Sequence, residues 1–182
     1  MQHMMIDLET MGTRVDAPVL SIGAVMFEPS TGELGDEFYV AIDPESALLH
    51  GKLSGSTLKW WMAQSDAARK AAMAGSVSAG NALADLESFY IGQGWSDIRV
   101  WGNGATFDIS ILEAQYYSWR GNKGAPWGFR NVRDCRTINE LAVGLVGDTP
   151  RPATNVAHNA LDDAIYQAKW VSAAWQALRP AA

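Results

Sequence analysis

A strand that carries two carboxylates near its end restricts what this chain can fold into more than any other feature. Residues 4–9 are typical of a short buried strand in which Asp7 and Glu9 alternate with apolar neighbours. Side chains on a strand share a face at every second residue, so Asp7 and Glu9 point the same way. Buried carboxylates on one face repel each other unless a cation lies between them. The pair predicts either a metal site or a solvated strand end, and alone it does not distinguish the two.

Length and composition predict one globular domain over residues 1–182. The chain is 48% hydrophobic and 19% charged, which is sufficient for a sizeable core. The sequence contains no apolar run of membrane-spanning length, and its first residues lack the pattern of an export signal. Cys135 is the only cysteine and permits no internal disulfide. We therefore expect a cytoplasmic protein without a membrane partner.

The net charge of −6 argues against a broad electrostatic interaction with duplex nucleic acid, which requires a basic surface. It does not exclude a polyanionic substrate, because two divalent ions among four carboxylates would offset their charge. The eight tryptophans fit either stacking on the bases of a short strand or a tryptophan-rich core. The acidic charge therefore favours short substrates.

The order of apolar and helical patterns predicts an α/β fold, with a mixed five-stranded sheet flanked by helices. The expected strands are residues 4–9, 18–27, 36–43, 98–102 and 129–134, of which the first three form an antiparallel meander. The expected helices are residues 56–74, 78 or 81 to about 90, 106–119, 137–145 and 159–178, with loops at 44–55, 121–128 and 148–154. A right-handed crossover would place the fourth strand parallel to and beside the first. Asp108 would then neighbour Asp7 and Glu9 at the sheet edge where such folds place their sites.

The start of the last expected helix supplies a histidine and two more carboxylates. His158 precedes Asn159, a candidate N-cap, and Asp162 and Asp163 lie in the first turn. Acidic residues in a first turn stabilise a helix without any function, and the same explanation fits Asp108. Adjacent helical residues point about 100° apart, so only one of Asp162 and Asp163 can face a site. A helical wheel leaves that choice open.

Taken together, these residues resemble the motifs of the DEDDh 3′-to-5′ exonucleases, which have a ribonuclease-H-like fold. The first motif resembles Asp7-Leu8-Glu9-Thr10, the second residues 104–108, and the third, H-x-A-x-x-D, residues 158–163. The resemblance covers nearly the whole chain. The spacing of the third motif identifies Asp163 as the ligand and leaves Asp162 as a residue of the helix start.

Within that superfamily, three stretches are most similar to the short ribonuclease-AS-type enzymes and to phage and prophage relatives labelled exonuclease-VIII-like. They are residues 56–61, 100–104 and 157–164. Met11-Gly12 follows the first motif where many members have Thr-Gly, a departure that concerns contacts to the terminal nucleotide. Relatives of this type tend to be homodimers, so a second copy of the chain is a candidate partner.

The resemblance implies hydrolysis at the 3′ end of single-stranded RNA or DNA, or of a 3′ overhang, with release of nucleoside 5′-monophosphates. Asp7 would bridge two divalent ions, Glu9 and Asp163 would complete one site, and Asp108 would bind the second ion or its waters. Hard oxygen ligands select Mg²⁺ or Mn²⁺ over zinc. His158 would be the general base, because histidine exchanges protons near neutral pH.

The sequence also offers candidates for substrate binding. Thr10, Met11 and Gly12 follow the acidic pair and could contact the terminal nucleotide through backbone atoms and an apolar side chain, or form an ordinary turn. Trp60 and Trp61 are adjacent on an expected helix and point in different directions, so one can lie in the core while the other stacks on a base.

Three functions fit the sequence. The first is the metal-dependent exonuclease, with an exoribonuclease slightly favoured over an exodeoxyribonuclease although no residue is assigned to reading the 2′-hydroxyl group. The second is a catalytically weak module that binds nucleic acid or a protein, which a missing ligand would indicate; none is missing. The third is a hydrolase of another phosphodiester on the same fold, since a fold does not determine a substrate.

Overall fold

The structure is a computed structural model that describes residues 1–94, 97–147 and 158–179. Its strands are β1 His3–Thr10, β2 Val19–Glu28, β3 Glu33–Ala41, β4 Arg99–Gly102 and β5 Val132–Asp134. Its α-helices are α1 Pro44–Leu48, α2 Gly55–Met62, α3 Asp66–Ala72, α4 Ala79–Gly92, α5 Asp108–Arg120, α6 Cys135–Leu141 and α7 Ala160–Leu178. In these described ranges, no helix is both long and apolar enough to cross a membrane. The loop expected at residues 148–154 lies outside them.

The five strands form one mixed sheet in the order β3-β2-β1-β4-β5. The pairs β1-β2 and β2-β3 are antiparallel, whereas β4 pairs in parallel with both β1 and β5. The expected meander and the expected position of the fourth strand beside the first are therefore confirmed. This order makes β1 a central strand, with the end of β4 next to it.

Alternation along β1 separates two hydrophobic layers, one on each face of the sheet. Met4, Ile6 and Leu8 belong to the larger layer, which includes apolar residues of α4 and α5. Met5 belongs to the second layer, together with apolar residues of α6 and α7. Asp7 and Glu9 continue the series of Met5 along the strand, so their side chains leave the sheet on the α7 face.

The single helix expected over residues 56–74 is wrong, because the chain forms two helices there. Helix α2 ends at Met62 and α3 begins at Asp66. The Ser65 hydroxyl accepts a hydrogen bond from the Ala68 amide at 3.2 Å and so caps the N-terminus of α3. Ser65 thus starts a new helix within residues 56–74, whose composition otherwise favours one continuous helix.

Three further boundaries differ from the expectation. The expected loop at 44–55 contains α1, whose N-cap is Asp43. The expected strand at 129–134 is confined to β5, because a 3₁₀ turn occupies Phe129–Asn131. The helix expected from residue 137 starts at Cys135, since the Asp134 carboxylate accepts a hydrogen bond from the Thr137 amide at 2.9 Å.

Candidate active site

Asp108 is the first residue of α5, shortly after the end of β4, and its side chain contacts β1. The parallel pairing of β1 with β4 extends to Met5 and Trp101, and beyond it the backbone amide of Leu8 donates to the Asp108 carboxylate. Amides of Asp108 and Asn103 donate to the same carboxylate. Asp108 is 2% exposed, and its charge acts on both Asp7 and Glu9. The start of α5 therefore places a third buried carboxylate near the pair on β1.

Helix α7 brings His158 and Asp163 to the same edge of the sheet. The Asn159 side chain caps the helix by accepting hydrogen bonds from the amides of Leu161 at 3.0 Å and Asp162 at 3.2 Å. His158, immediately before the cap, has a φ of 64°, in the left-handed region that few side chains adopt. This turn of the backbone precedes the helix and orients the histidine at its start.

A glycine on β2 allows the first turn of α7 to lie directly on the sheet. Gly23 pairs with Asp7, and a Cβ atom at Gly23 would lie 2.2 Å from the carbonyl carbon of Ala160. No side chain fits in that space without displacing the helix start. The close approach of α7 to the carboxylates on β1 therefore depends on the absence of a side chain at residue 23.

Glu9, His158 and Asp163 each direct one potential ligand atom into a common space. These three atoms lie within 4.8 Å of one another, and Asp7, Asp108 and Asp162 are not part of the group. Burial and the charges of Asp163 and Asp108 raise the pKa of Glu9 to about 8. A carboxylate with such neighbours is unfavourable in its charged form unless a cation compensates.

The pKa values of Asp7 and Asp108 are also raised. Burial raises the pKa of Asp7 well above its usual range, and the charges of Asp108, Glu9 and Asp163 raise it further, against a hydrogen bond from Gln167. Burial raises the pKa of Asp108 to about 7, although backbone amides and the charge of Arg136 oppose the shift. The four carboxylates are thus close enough to disfavour one another's ionisation, and their oxygen donors fit a hard divalent cation.

Gln167 is a site residue that the sequence did not reveal. Its Nε2 donates a hydrogen bond to Asp7 Oδ1 at 2.7 Å, and the residue is only 3% exposed. Its Oε1 is buried and has no hydrogen-bond partner among the described residues. Gln167 follows Asp163 by four residues and therefore lies on the same helix face, a spacing that could have identified it.

The two adjacent tryptophans of α2 have different environments. Trp61 is 2% exposed, and its Nε1 donates to the Thr10 carbonyl oxygen at 2.9 Å. Trp60 is 43% exposed, and its ring meets the His158 ring edge-on with a centroid separation of 4.8 Å. Trp61 therefore holds the end of β1 in place, and Trp60 is the one whose ring is accessible beside the histidine.

The turn after the acidic pair is closed by its own hydrogen bonds. Thr10 Oγ1 donates to the Gly12 carbonyl at 2.7 Å. The Met11 side chain is 7% exposed and packs in a small core cluster with Leu20 and Trp61. The Met11 side chain is thus turned inward, whereas Thr10 and Gly12 line the neighbouring cavity. A contact between Met11 and a nucleotide stays a prediction.

A cavity of about 380 Å³ opens next to Glu9. Its walls come from the end of β1 with the turn that follows, from the first turns of α2, and from Phe107 before α5. Ser56 and Thr57, which lie one turn before Trp60 on α2, and Phe107, which directly precedes Asp108, also line the cavity; none of the three was predicted as a site residue. Trp60 completes the wall on the side of His158.

A ribonuclease-H-like sheet on which four carboxylates and a histidine converge defines the DEDDh class of 3′-5′ exonucleases. The sequence model of the 3′-5′ exoribonuclease Rv2179c-like domain family matches residues 2–175, and the chain belongs to that family.

Comparisons with individual proteins agree with this assignment. The chain is 29% identical to a protein named exodeoxyribonuclease from Enterobacteria phage T4, over 87% of this chain and 82% of that protein. The nuclease domain of 3′hExo, a DEDDh family member solved with rAMP, superimposes with a TM-score of 0.60 at 14% identity, covering 96% of this chain and 91% of that one.

A complex of E. coli exonuclease I with single-stranded DNA superimposes with a TM-score of 0.66 at 14% identity, over 98% of this chain. This chain spans 41% of the length of that enzyme. At such identities the two solved structures show the shared fold.

Proposed function

We propose that this protein is a divalent-metal-dependent exonuclease that removes nucleotides one at a time from the 3′ end of a single strand and releases nucleoside 5′-monophosphates. One observation carries the proposal. The ligand atoms of Glu9, His158 and Asp163 lie within 4.8 Å of one another, and Glu9 also lines a cavity of about 380 Å³. This reaction requires a site that binds cations and, beside it, a space that holds the terminal nucleotide.

Two Mg²⁺ or Mn²⁺ ions would be held by the four carboxylates, with Asp7 shared between them. Glu9 and Asp163 would complete one site and Asp108 the other. When bound, such ions make a water molecule a better nucleophile and offset the charge on the attacking and leaving oxygens. The raised pKa values of Asp7, Glu9 and Asp108 support this assignment, because a cation is the partner that the charged carboxylates lack.

His158 would accept the proton of the attacking water through a ring nitrogen. The backbone turn at φ 64° and the edge-on contact with Trp60 both restrict where its ring can lie. A positioned general base of this kind contributes roughly 10²- to 10⁴-fold to a rate. We assign His158 to proton transfer and the carboxylates to the ions.

The terminal nucleotide would occupy the cavity beside Glu9. Trp60 offers an exposed ring for stacking on the base, and Thr10 and Gly12 line the same cavity. The Thr10 hydroxyl oxygen, whose proton is donated to the Gly12 carbonyl, could still accept a hydrogen bond from the sugar. Trp61 would act indirectly, since its indole N–H holds the carbonyl of Thr10. A strand that extends from this cavity would leave its 3′ end next to the carboxylates.

RNA is the substrate that we place first, in line with the family, whose description names an exoribonuclease. The phage T4 relative, named an exodeoxyribonuclease, supports DNA as the second candidate. The test incubates the protein and Mg²⁺ with RNA and DNA strands of one sequence, labelled at the 5′ end and with the 3′ end either free or blocked. We expect a ladder that shortens by single nucleotides from free 3′ ends, nucleoside 5′-monophosphate as product, and faster cleavage of RNA.

Two variants sharpen this assay. Asp7→Ala should abolish shortening, because it removes the ligand shared by both ions. His158→Asn should reduce the rate while retaining the backbone, since asparagine tolerates the left-handed conformation better than alanine does. Equal cleavage of blocked and free 3′ ends would contradict the proposal. Strand binding by the wild-type protein without any hydrolysis would instead identify a binding module.

A further inference from the structure

A second cavity, of about 340 Å³, adjoins the proposed nucleotide cavity. The two share Gly12 and Thr13 as a common wall. The outer walls of the second cavity carry Arg14, Asp16 and Lys52. We call this second space the basic cleft. A ligand that leaves the nucleotide cavity past the shared wall enters the basic cleft next.

Backbone hydrogen bonds join the two loops that form the basic cleft. The amide of Lys52 donates to the Asp16 carbonyl at 2.7 Å, and the amide of Ser54 donates to the Met11 carbonyl at 2.8 Å. Gly51 allows the loops to approach, because a Cβ atom there would lie 2.5 Å from the nitrogen of Pro18. The cleft is thus held by the protein's own backbone hydrogen bonds, so binding should cost little ordering of the backbone.

The charges of the basic cleft are available to a ligand. Arg14 Nε lies 3.4 Å from Asp16 Oδ1, and Lys52 Nζ lies 3.5 Å from Asp16 Oδ2. The Arg14 and Lys52 side chains are 84% and 86% exposed, so these ion pairs add little to stability. Asp16 lies between the two cations, with one near each of its carboxylate oxygens, and the three side chains together carry one net positive charge.

This charge is opposite in sign to that of the whole chain. The protein has 14 lysine and arginine residues against 20 acidic ones, yet two of the cations meet at the cavity that adjoins the proposed site. A nucleic-acid strand carries one negative charge per nucleotide, and cations beside its path bind phosphates without reading sequence.

We propose that the basic cleft binds the phosphodiester backbone of the substrate strand, upstream of the nucleotide that is removed. This inference rests on the proposed function, because it extends the strand outward from the nucleotide cavity. Arg14 and Lys52 contact the phosphates, and Asp16 positions both cations. The cleft therefore favours strands longer than one nucleotide and fixes the direction in which they leave the site.

The test measures binding rather than catalysis. A 5′-labelled strand of about 12 nucleotides with a free 3′ end is titrated in the Asp163→Asn background, which keeps the strand intact, at several salt concentrations. Arg14→Ala/Lys52→Ala should weaken binding of this strand about tenfold. The slope of log affinity against log salt should fall by about 1.4, because each phosphate contact on a single strand contributes about 0.7.

A matched control removes two exposed cations that line neither cavity. Lys70→Ala/Arg130→Ala has the same net charge as the test variant and should change neither the affinity nor the salt slope substantially. Affinity for a nucleoside 5′-monophosphate, which fits within the first cavity, should be the same in both double variants.

Strand affinity and salt slope that are the same in both double variants would overturn the inference. Equal loss of strand and mononucleotide binding in the Arg14→Ala/Lys52→Ala variant would overturn it as well, since the variant would then have damaged the first cavity. A strand that binds as predicted but is never shortened by the protein with an intact Asp163 would overturn the proposed function and still support the basic cleft.

Discussion

Glu9 is a buried carboxylate whose neighbours are also acidic. Its pKa rises from 4.5 to about 8 on folding, because burial and the charges of Asp163 and Asp108 disfavour ionisation. Between these two pH values the folded protein binds more protons than the unfolded chain, so the metal-free protein loses stability as the pH rises from 4.5 to 8. This destabilisation at neutral pH is what a bound cation would relieve.

Glu9→Gln should therefore stabilise the metal-free protein. At pH 8, in the presence of chelator, we expect the free energy of unfolding to increase by about 2 kcal/mol over the wild type, because an unfavourable charge has been removed. The difference should largely disappear near pH 4.5, where Glu9 is protonated in the folded protein. Urea unfolding at both pH values measures it; a less stable Glu9→Gln variant at pH 8 would contradict the electrostatic description.

Gln167 acts on the site through Asp7, and its effect should appear in metal affinity. Gln167→Met keeps the volume but removes the hydrogen bond to Asp7 Oδ1, so we expect Mn²⁺ or Mg²⁺ to bind about tenfold more weakly. Calorimetry measures this independently of activity. Gln176→Met is the matched control on the same helix, because Gln176 donates to the Pro29 carbonyl, away from the carboxylates. Equal metal affinity in the two variants would leave Gln167 with a packing role alone.

At the scale of elements, the site depends on how closely α7 approaches β1 and β2. The helix is capped by Asn159, and its apolar residues pack on the same face of the sheet as Met5. Gly23 is the position on β2 that allows the first helical turn to contact the backbone of the sheet. Because Asp163 and His158 lie within or just before that turn, a displacement there moves both.

Gly23→Ala should consequently impair catalysis more than folding. The new methyl group overlaps the backbone of Ala160, and a displacement of about 1 Å at a catalytic constellation can reduce a rate by roughly 10²-fold. Strand-shortening rates, compared with circular dichroism spectra, measure the two effects separately. Gly92→Ala in α4, where an added Cβ meets nothing within 4 Å, should retain full activity. A fully active Gly23→Ala variant would show that α7 tolerates the shift.

The sequence predicted the elements whose signals are local. Alternation along β1 predicted the shared face of Asp7 and Glu9, and the crossover rule predicted β4 beside β1. The carboxylates of the proposed site follow from those two features and from the start of α7. The break before α3 was missed because it depends on a single side chain, the N-cap Ser65.

Features that depend on packing between distant segments could not be predicted. The inward orientation of Met11 follows from its contacts with β2 and α2, and the role of Gly23 follows from a helix that begins more than 130 residues later. Neither has a signal in the local sequence. Gln167 could be predicted in part: its spacing from Asp163 places it on the same helix face, but the sequence does not reveal its hydrogen bond to Asp7.

At the scale of the whole molecule, the sheet carries a hydrophobic layer on each face, and the ends of its neighbouring strands β1 and β4 bring Asp7, Glu9 and Asp108 together. Asp7, Glu9, Asp108 and Asp163 lie close together at that end of the sheet, beside a basic cleft whose three charged side chains carry one net positive charge. Under the proposed function, these carboxylates would require divalent cations to accept a polyanionic strand. Dependence on metal is therefore the central claim.

The most direct measurement of that claim is strand shortening by protein from which metal has been removed. The wild type, treated with chelator and then supplied with increasing Mg²⁺ or Mn²⁺, should show no hydrolysis in excess chelator and full recovery when the ions are restored. Asp163→Asn should remain inactive at all concentrations, because the proposed function assigns Asp163 to one of the ions. Undiminished shortening of the strand by the wild type in excess chelator would contradict the account.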